Sequence, residues 1–545
     1  MQTGVGAATS EADPEPPASR PSVTDSHGRL FRASTAYLIA GVVLFVVYLR
    51  LSMTYGLNSD SANILLMGQD MLHGNLLMHG WFDSDVSFYS TELPQYALLT
   101  GIFGLHAQTA HIAAAMTYTL TFLLAVMLAR AGFTGRAALV RTLIAAAIML
   151  APQLGSGVFA LVLSVGHIGT SVPLLLVWLL LDRVERTGAR RWWVPAVTAV
   201  ILAWVLVADP IVLIMGVAPL ALAAAVRFAQ GVLNGAGPWP ARVRAQWYPL
   251  SLGVAAGAGY VLAWGAEHVL QAAGAYHISA LPFYITPLHD LHGNLPAAWK
   301  ILQIFGADFA GLTGVQLVLA ILHLVSVLVV LAAVVVAAWR FLRGLGLTEQ
   351  VLVAAIVANV ILFMLTNASQ LAAHEVAIIV PFGGVLAARV LPTLRVPRPA
   401  SVAAVATGAT VLVGYTAGLG WEAAQPSQPM QNVRLATFLE AHHLRYGLSG
   451  YWTSSSVTVD SGGKVAVRAL MLRTLKRDLW MSDVGWYVPS KHYANFIVLD
   501  SQPGYFTHWE PAALVKKYFG VPAKVYHTGP YTVEVWDRNL LSKVP

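Results

Sequence analysis

The chain contains no cysteine among its 545 residues. Disulfides, thiolate metal sites and cysteine nucleophiles are therefore excluded. Charge is also scarce. Asp, Glu, Lys and Arg together make up 11% of the residues, against roughly 25% in a typical soluble domain. No Walker loop or dinucleotide fingerprint stands out, which disfavours nucleotide chemistry. No cleavable signal peptide is expected, because the first apolar run is long and lacks a clear small-residue cleavage site. Residues 1–34 lack any apolar run and carry Pro14, Pro16 and Pro17, the composition of a disordered tail.

What the chain has is apolar sequence. Apolar residues make up 57% of the total and the mean hydropathy is +0.64. Runs near 20 residues long recur, each able to cross ~30 Å of hydrocarbon. About eleven transmembrane helices are expected, near 35–54, 109–130, 137–153, 158–181, 192–208, 210–229, 249–271, 315–339, 350–366, 371–391 and 401–420. The gaps between them alternate. One set is rich in Arg: Arg130/Arg136/Arg141, Arg183/Arg186/Arg190/Arg191, Arg227/Arg242/Arg244, Arg340/Arg343 and Arg389/Arg395/Arg398. The other set holds nearly all the acids and histidines. The positive-inside bias makes the Arg set cytoplasmic and puts the amino terminus, with Arg29 and Arg32, on that side. The net charge of +7 thus orients the chain in a bilayer and is not a nucleic-acid footprint. Arg50 is the exception, near the outer end of the first span, where it could snorkel to the interface.

The expected organisation follows. Residues 1–34 form a cytoplasmic tail. Residues 35–420 form a polytopic α-helical membrane domain with long outer loops at 55–108 and 272–314, and short outer turns near Gln153, Asp209 and Asn367. Residues 421–545 form a small extracytoplasmic α/β domain, since charge rises there, Pro426 and Pro429 mark a linker, and soluble patterns begin. Helices are expected at Val433–His443 and Pro511–Phe519, and strands at Lys464–Leu470, Asn495–Asp500, Ala523–His527 and Tyr531–Asp537. In the first outer loop a helix over Ala62–His73 is expected, with Ser59 or Asp60 as N-cap and Gly74 closing it. The localisation is a plasma (inner) membrane, multi-pass.

Several outer residues have the chemistry of a site. Asp60 follows the first span at a helix start, where the helix dipole favours its ionised form; a general base and a plain N-cap both fit. Asp83 and Asp85 form an Asp-x-Asp pair that could share a divalent cation, hold sugar hydroxyls, or simply solvate a turn. Glu92 lies just before Pro94 near the membrane. Asp209 occupies the Ala208-Asp209-Pro210 turn between two spans, a costly place for a charge but also a common turn signal. Lys300 is the only Lys or Arg in the second outer loop and suits an anion. His289 and His292 have metal-ligand spacing but no placed third ligand. His374-Glu375 opens a late span, with Pro381 following.

These features resemble the polytopic GT-C glycosyltransferases, especially the protein O-mannosyltransferase/aminoarabinose-transferase-like group. The resemblance is carried by Asp60, by Gln69-Asp70-Met71-Leu72-His73-Gly74 closing a helix, by Leu93-Pro94-Gln95-Tyr96-Ala97-Leu98-Leu99 running to Gly104, and by His374 to Pro381. It differs from the family in having Asp60-Ser61 for the usual acidic pair, and His374 where an Arg is common. The resemblance implies a sugar moved from a polyprenyl-phosphate donor to an acceptor hydroxyl on the outer face. Asp60 would act as base, and Asp83, Asp85, Glu92, Asp209, Lys300 and His374 would bind substrate. The acceptor could be protein, lipid or glycan. No metal ligand is assigned and no cofactor is certain, with a divalent cation left open. No nucleic acid is expected as a partner. A multi-pass transporter or lipid flippase is the rival, and a sugar-binding scaffold without activity a third reading.

Overall fold

The computed structural model describes residues 23–152, 165–279, 282–370, 373–429, 432–471, 473–500 and 511–544. The chain divides into two compact units, Met1–Leu44 and Phe45–Pro545. Within the first, a helix begins at Val23, inside the stretch whose composition reads as a disordered tail. The second holds the remaining helices and both β-sheets.

Eight helices among the described residues are long and apolar enough to cross a membrane: Ser34–Ser52, Ala107–Arg130, Leu213–Asn234, Trp247–Ala272, Gly314–Arg340, Leu347–Leu365, Ala373–Thr393 and Arg398–Ala423. Each coincides with an expected span. Two further expected spans are shorter helices, Gly135–Met149 and Trp193–Ala208. The span expected at 158–181 begins outside the described residues, as does the turn at Gln153, and continues as the helix Ser171–Thr187.

Ion pairs gather on the Arg side. Buried Arg389 lies 2.7 Å from Asp182 and 2.7 Å from Glu349, and donates to the Leu128 carbonyl at 2.8 Å. Arg227 pairs with Glu185, and Arg186 with Asp182, each at 2.7 Å. The Arg-side segments therefore also carry acids, which neutralise cations that would otherwise be desolvated. On the opposite side Arg50 has no need to snorkel. Its Nε donates to the Ala423 carbonyl at 2.8 Å and an Nη to Ser427 at 2.6 Å. Thr54 donates to Glu422 at 3.0 Å nearby. The carboxyl ends of the first and last spans thus lie side by side.

Three segments expected on one side of the membrane meet in one small sheet. Strand β1 (Trp81–Asp83) comes from the first long loop, β2 (His277–Ile278) from the second, and β5 (Ser482–Asp483) from the C-terminal region. Their order is β2-β1-β5, with Phe82 opposite His277 and Trp81 opposite Asp483. The sheet is possible only if all three segments occupy the same side.

The C-terminal region is an α/β unit. Strands β3 (Tyr446–Ser449), β4 (Ala466–Ala469), β6 (Phe496–Asp500), β7 (Lys524–Thr528) and β8 (Tyr531–Val535) form a mixed sheet in the order β4-β3-β6-β8-β7. Alternation along β6 serves both faces: Phe496 and Val498 pack in one core, Ile497 and Leu499 in another, as a period of two requires. Strand β3 and the helix Tyr451–Asp460 that follows were not expected from sequence. That helix is built from Ser, Thr and Val, which favour other conformations. Its buried hydroxyls are satisfied within the helix, Ser456 on the Trp452 carbonyl at 3.2 Å and Thr458 on the Ser454 carbonyl at 3.1 Å.

In the first long loop the helix runs Ser59–Leu72. Its N-cap is Asn58, whose side chain accepts from the Ser61 amide at 3.2 Å, so neither Ser59 nor Asp60 caps it. Gly74 closes it at φ +103, a conformation that favours glycine. The helix packs on Glu92–Phe103 through Gly68, where a Cβ would come within 2.9 Å of the Ala97 nitrogen.

Replacing Arg389 with Ala takes the cation from partly buried Glu349 and, among the described residues, leaves buried Asp182 only the half-exposed Arg186. Stability should fall by about 3–5 kcal/mol, read as a lower thermal unfolding midpoint in detergent. Arg186→Ala, whose side chain is 40% exposed, should cost under ~1 kcal/mol in the same assay.

Candidate functional site

The loop after β1 is tied to the end of the helix Trp193–Ala208. The Phe88 amide donates to the Ala208 carbonyl at 3.0 Å, Ser87 Oγ to the Val207 carbonyl at 2.9 Å, and Trp204 Nε1 to the Ser90 carbonyl at 2.6 Å. This docking brings Asp85 beside Asp209. One Asp209 oxygen accepts from the Ile211 amide at 3.0 Å, an arrangement typical of an Asp at a turn. The other accepts from Thr170 Oγ1 at 2.6 Å and lies 2.9 Å from His167 Nδ1. The second nitrogen of His167 is 3.4 Å from Glu375, and His374 Nε2 is 3.7 Å from the other oxygen of the same carboxylate. His167 therefore bridges two acids. It does so at φ +66, a strained conformation for a non-glycine residue and one that clusters at functional sites.

A cavity of about 170 Å³ opens against this cluster. Its lining mixes polar side chains, Asp85, His167, Asp209, Asn359 and Glu375, with apolar ones that include Ile211, Ile214, Leu362 and Phe363. The buried Asn359 Oδ1 has no hydrogen-bond partner among the described residues, so an acceptor in this lining is left for a ligand or water.

The other expected residues are distributed around it. Glu92 begins its helix beside the turn carrying His167, and a Cβ on Gly169 would collide with its carboxylate. Lys300, on the helix Pro296–Ile304, donates to the Ser369 carbonyl at 2.8 Å and lies within reach of the charge of Glu375. Asp83 is buried in β1, and neither of its carboxylate oxygens has a partner among the described residues. It does not line the cavity. Asp60 belongs to a separate cluster: Tyr451 Oη donates to it at 2.5 Å and Asn58 Nδ2 at 3.3 Å. Asp85, Glu92, Asp209, Lys300 and His374 are thus brought together, and Asp83 and Asp60 lie apart from them.

Burial governs the ionisation of the outer acids. It raises Asp85, helped by the nearby charge of Glu375. It pushes Glu92 up to about 7 and lifts Asp83 well above the carboxylate range. It also raises Asp60, against the opposing hydrogen bonds from Tyr451 and Asn58. Lys300 is lowered by burial, with Glu375 acting the other way.

His167, His374 and Glu375 could hold a metal ion, their ligand atoms lying within 4.8 Å of one another. Ligands at ~2.0–2.1 Å around a tetrahedral ion sit ~3.3 Å apart; the two His-to-Glu375 distances, 3.4 and 3.7 Å to different oxygens, come near this, and the set would have to contract around an ion. Asp209 on the far nitrogen of His167 is the outer partner that a metal-bound imidazole usually has. The His289/His292 pair does not make such a site: both are exposed, and His289 turns to Asp290 at 3.1 Å.

Sequence reasoning missed His167, counted inside a span, and left Glu375 out of the site. The usable signal was an ionisable residue in an apolar run, flanked by Gly166 and Gly169, which by default marks function.

The buried Glu92 makes stability pH-dependent. Its folded pKa lies above the ordinary 4.5, so the folded state binds the proton more tightly and loses stability as pH rises from ~4.5 through ~7, by up to about 3 kcal/mol. Glu92→Gln should flatten the decline in unfolding midpoint between pH 5 and 8.

No family model matches the chain, and no curated protein matches it. Among solved structures it is similar to the Archaeoglobus fulgidus oligosaccharyltransferase. The crystal structure tethered through a disulfide to an acceptor peptide containing the NVT sequon aligns with TM-score 0.46 and 14% identity. The apo form aligns with TM-score 0.43 and 15% identity. Both alignments cover 85% of this chain and 69% of the other. Identity this low fixes no residue correspondence, and the site is read from its own chemistry.

Proposed function

We propose that this chain is a membrane glycosyltransferase that moves a sugar from a polyprenyl-phosphate donor to an acceptor hydroxyl on the outer face of the plasma membrane. The observation that carries the reading is the cavity lined by both acids and apolar side chains. Its carboxylates suit sugar hydroxyls, and the apolar side chains that line it beside them suit the start of a lipid tail. The resemblance of Asp60, the Gly74-closed helix and the Leu93–Gly104 run to the GT-C group points the same way.

In this reading Asp60 takes the proton from the acceptor hydroxyl. The oxygen attacks the anomeric carbon, the bond from that carbon to the phosphate oxygen breaks, and polyprenyl phosphate departs with the electron pair. Asp85 accepts hydrogen bonds from the sugar, with Glu375 and Asp209 holding His167 beside it. Lys300 faces the charge that grows on the phosphate. A divalent ion held by His167, His374 and Glu375 would supply further neutralisation there. Asp85, which lines the cavity directly, competes with Asp60 for the role of base.

The rival transporter reading draws on polar groups within the spans. His323, Tyr415 and Ser326 do form such a network, His323 2.8 Å and Ser326 2.7 Å from the Tyr415 hydroxyl. It includes no carboxylate, and it ties the spans Gly314–Arg340 and Arg398–Ala423 together.

In membranes supplied with a panel of polyprenyl-phosphate hexoses and pentoses, Asp60→Asn should lower transfer at least ~100-fold with expression unchanged. Full activity in Asp60→Asn with loss in Asp85→Asn would move the base to the cavity. Solute uptake that survives both changes, with no transfer from any donor, would favour the transporter.

A further inference from the structure

The C-terminal α/β unit meets the chemistry of the first loop through the hydrogen bonds of one phenol. Tyr451 opens the helix Tyr451–Asp460 just after β3, and its hydroxyl donates to Asp60 at 2.5 Å. We infer that Tyr451 is a positioning residue for Asp60, so that the C-terminal unit completes the site from outside the membrane helices. The inference rests on the reading of Asp60 as the base.

The surrounding hydrogen bonds leave the Tyr451 proton little choice. Buried Asn63 donates its amide to the Tyr451 oxygen at 3.1 Å. The phenol proton must then point elsewhere, and Asp60 is the anionic acceptor within reach; Met481 Sδ, a weak acceptor, is 3.6 Å away. On the other side Asn58 Nδ2 reaches the second Asp60 oxygen at 3.3 Å. Its amide cannot flip, because Asn58 Oδ1 caps the Ser61 amide at 3.2 Å. Each carboxylate oxygen has one donor. The plane of the carboxylate is fixed while lone pairs remain for a substrate proton.

The packing part of the contact is separable from its polar part. The Tyr451 ring meets Trp452 edge-on at 5.0 Å, and a Phe would keep that contact. The hydroxyl donates to the charged form of Asp60, which favours that form. Burial works in the opposite sense and wins. The phenol itself stays protonated, raised by burial and by the charge of Asp60. The other charge that acts on the Tyr451 hydroxyl is Asp478, from the segment leading to Met481. Losing the phenol should therefore make Asp60 harder to ionise, so a base needed in its charged form fails first at low pH.

The test is a difference infrared titration of the full-length chain in lipid nanodiscs, with Asp60→Asn as the subtraction reference. Tyr451→Phe should raise the proton affinity of Asp60 about tenfold, one unit in midpoint. An unchanged midpoint would overturn the inference. If Tyr451→Phe does not fold, Asn63→Ala removes the donor that aims the phenol and should move the midpoint the same way by less; no movement there also overturns it. In a deletion strain complemented with each variant, mass spectrometry of surface glycans should show a loss in Tyr451→Phe that deepens as pH falls, to at most about tenfold, and fades as pH rises. An equal loss at every pH would mark the contact as structural only and overturn the positioning role. Glycans unaffected by Asp60→Asn would instead refute Asp60 as base, and the infrared result would still decide whether Tyr451 holds it.

Discussion

The structure depends on where a chain of apolar helices can keep its charges. Hydrocarbon penalises an ionised group unless it is paired or moved to an end. Here the charged residues divide between two places. Around Arg389, Arg227, Arg186, Asp182, Glu185 and Glu349 they pair off at 2.7 Å. Around His167 they do not pair off in the same way: one imidazole is shared by two carboxylates, with Asp85 and Glu92 nearby and Lys300 as a cation within reach of Glu375. The first arrangement is electrically balanced and reads as structural. The second has surplus carboxylate and a cavity, which is the condition for binding something.

The two soluble elements serve that second arrangement differently. The three-stranded sheet brings the two long loops and the C-terminal region together at Phe82, His277 and Ser482. It fixes the loop that delivers Asp85. The five-stranded sheet, through the helix Tyr451–Asp460, delivers a phenol to Asp60. The C-terminal region is therefore part of the polar architecture and not an appendage. Its strand β3 sits between β4 and β6, so the helix carrying Tyr451 emerges from inside the sheet and not from a frayed edge.

Much of the helical framework was legible in the sequence because hydrophobic length is a one-dimensional property. Eight expected spans coincide with long apolar helices, and the Arg alternation assigned to one side the segments that meet in a sheet. The site was legible in part. Asp85, Glu92, Asp209, Lys300 and His374 were picked out as charges at the outer ends of apolar runs, and they do converge. His167 escaped because an apolar run hides its single polar member. Tyr451 escaped because Tyr446–Asp460 mixes aromatic, Ser, Thr and Val residues, and local preference there favours strand over helix.

Sequence alone determined the run of long apolar helices, the alternation of Arg-rich and acid-rich gaps, and the kind of chemistry available: carboxylates and histidines with no thiol. Those follow from composition and from the cost of burying charge, which act residue by residue. Only the tertiary structure decided which carboxylate faces which partner. That His167 lies between Asp209 and Glu375, and that Asp60 bonds to a phenol 391 positions away, depends on helix packing and sheet register. Such contacts join residues far apart in the chain, and no local pattern encodes them.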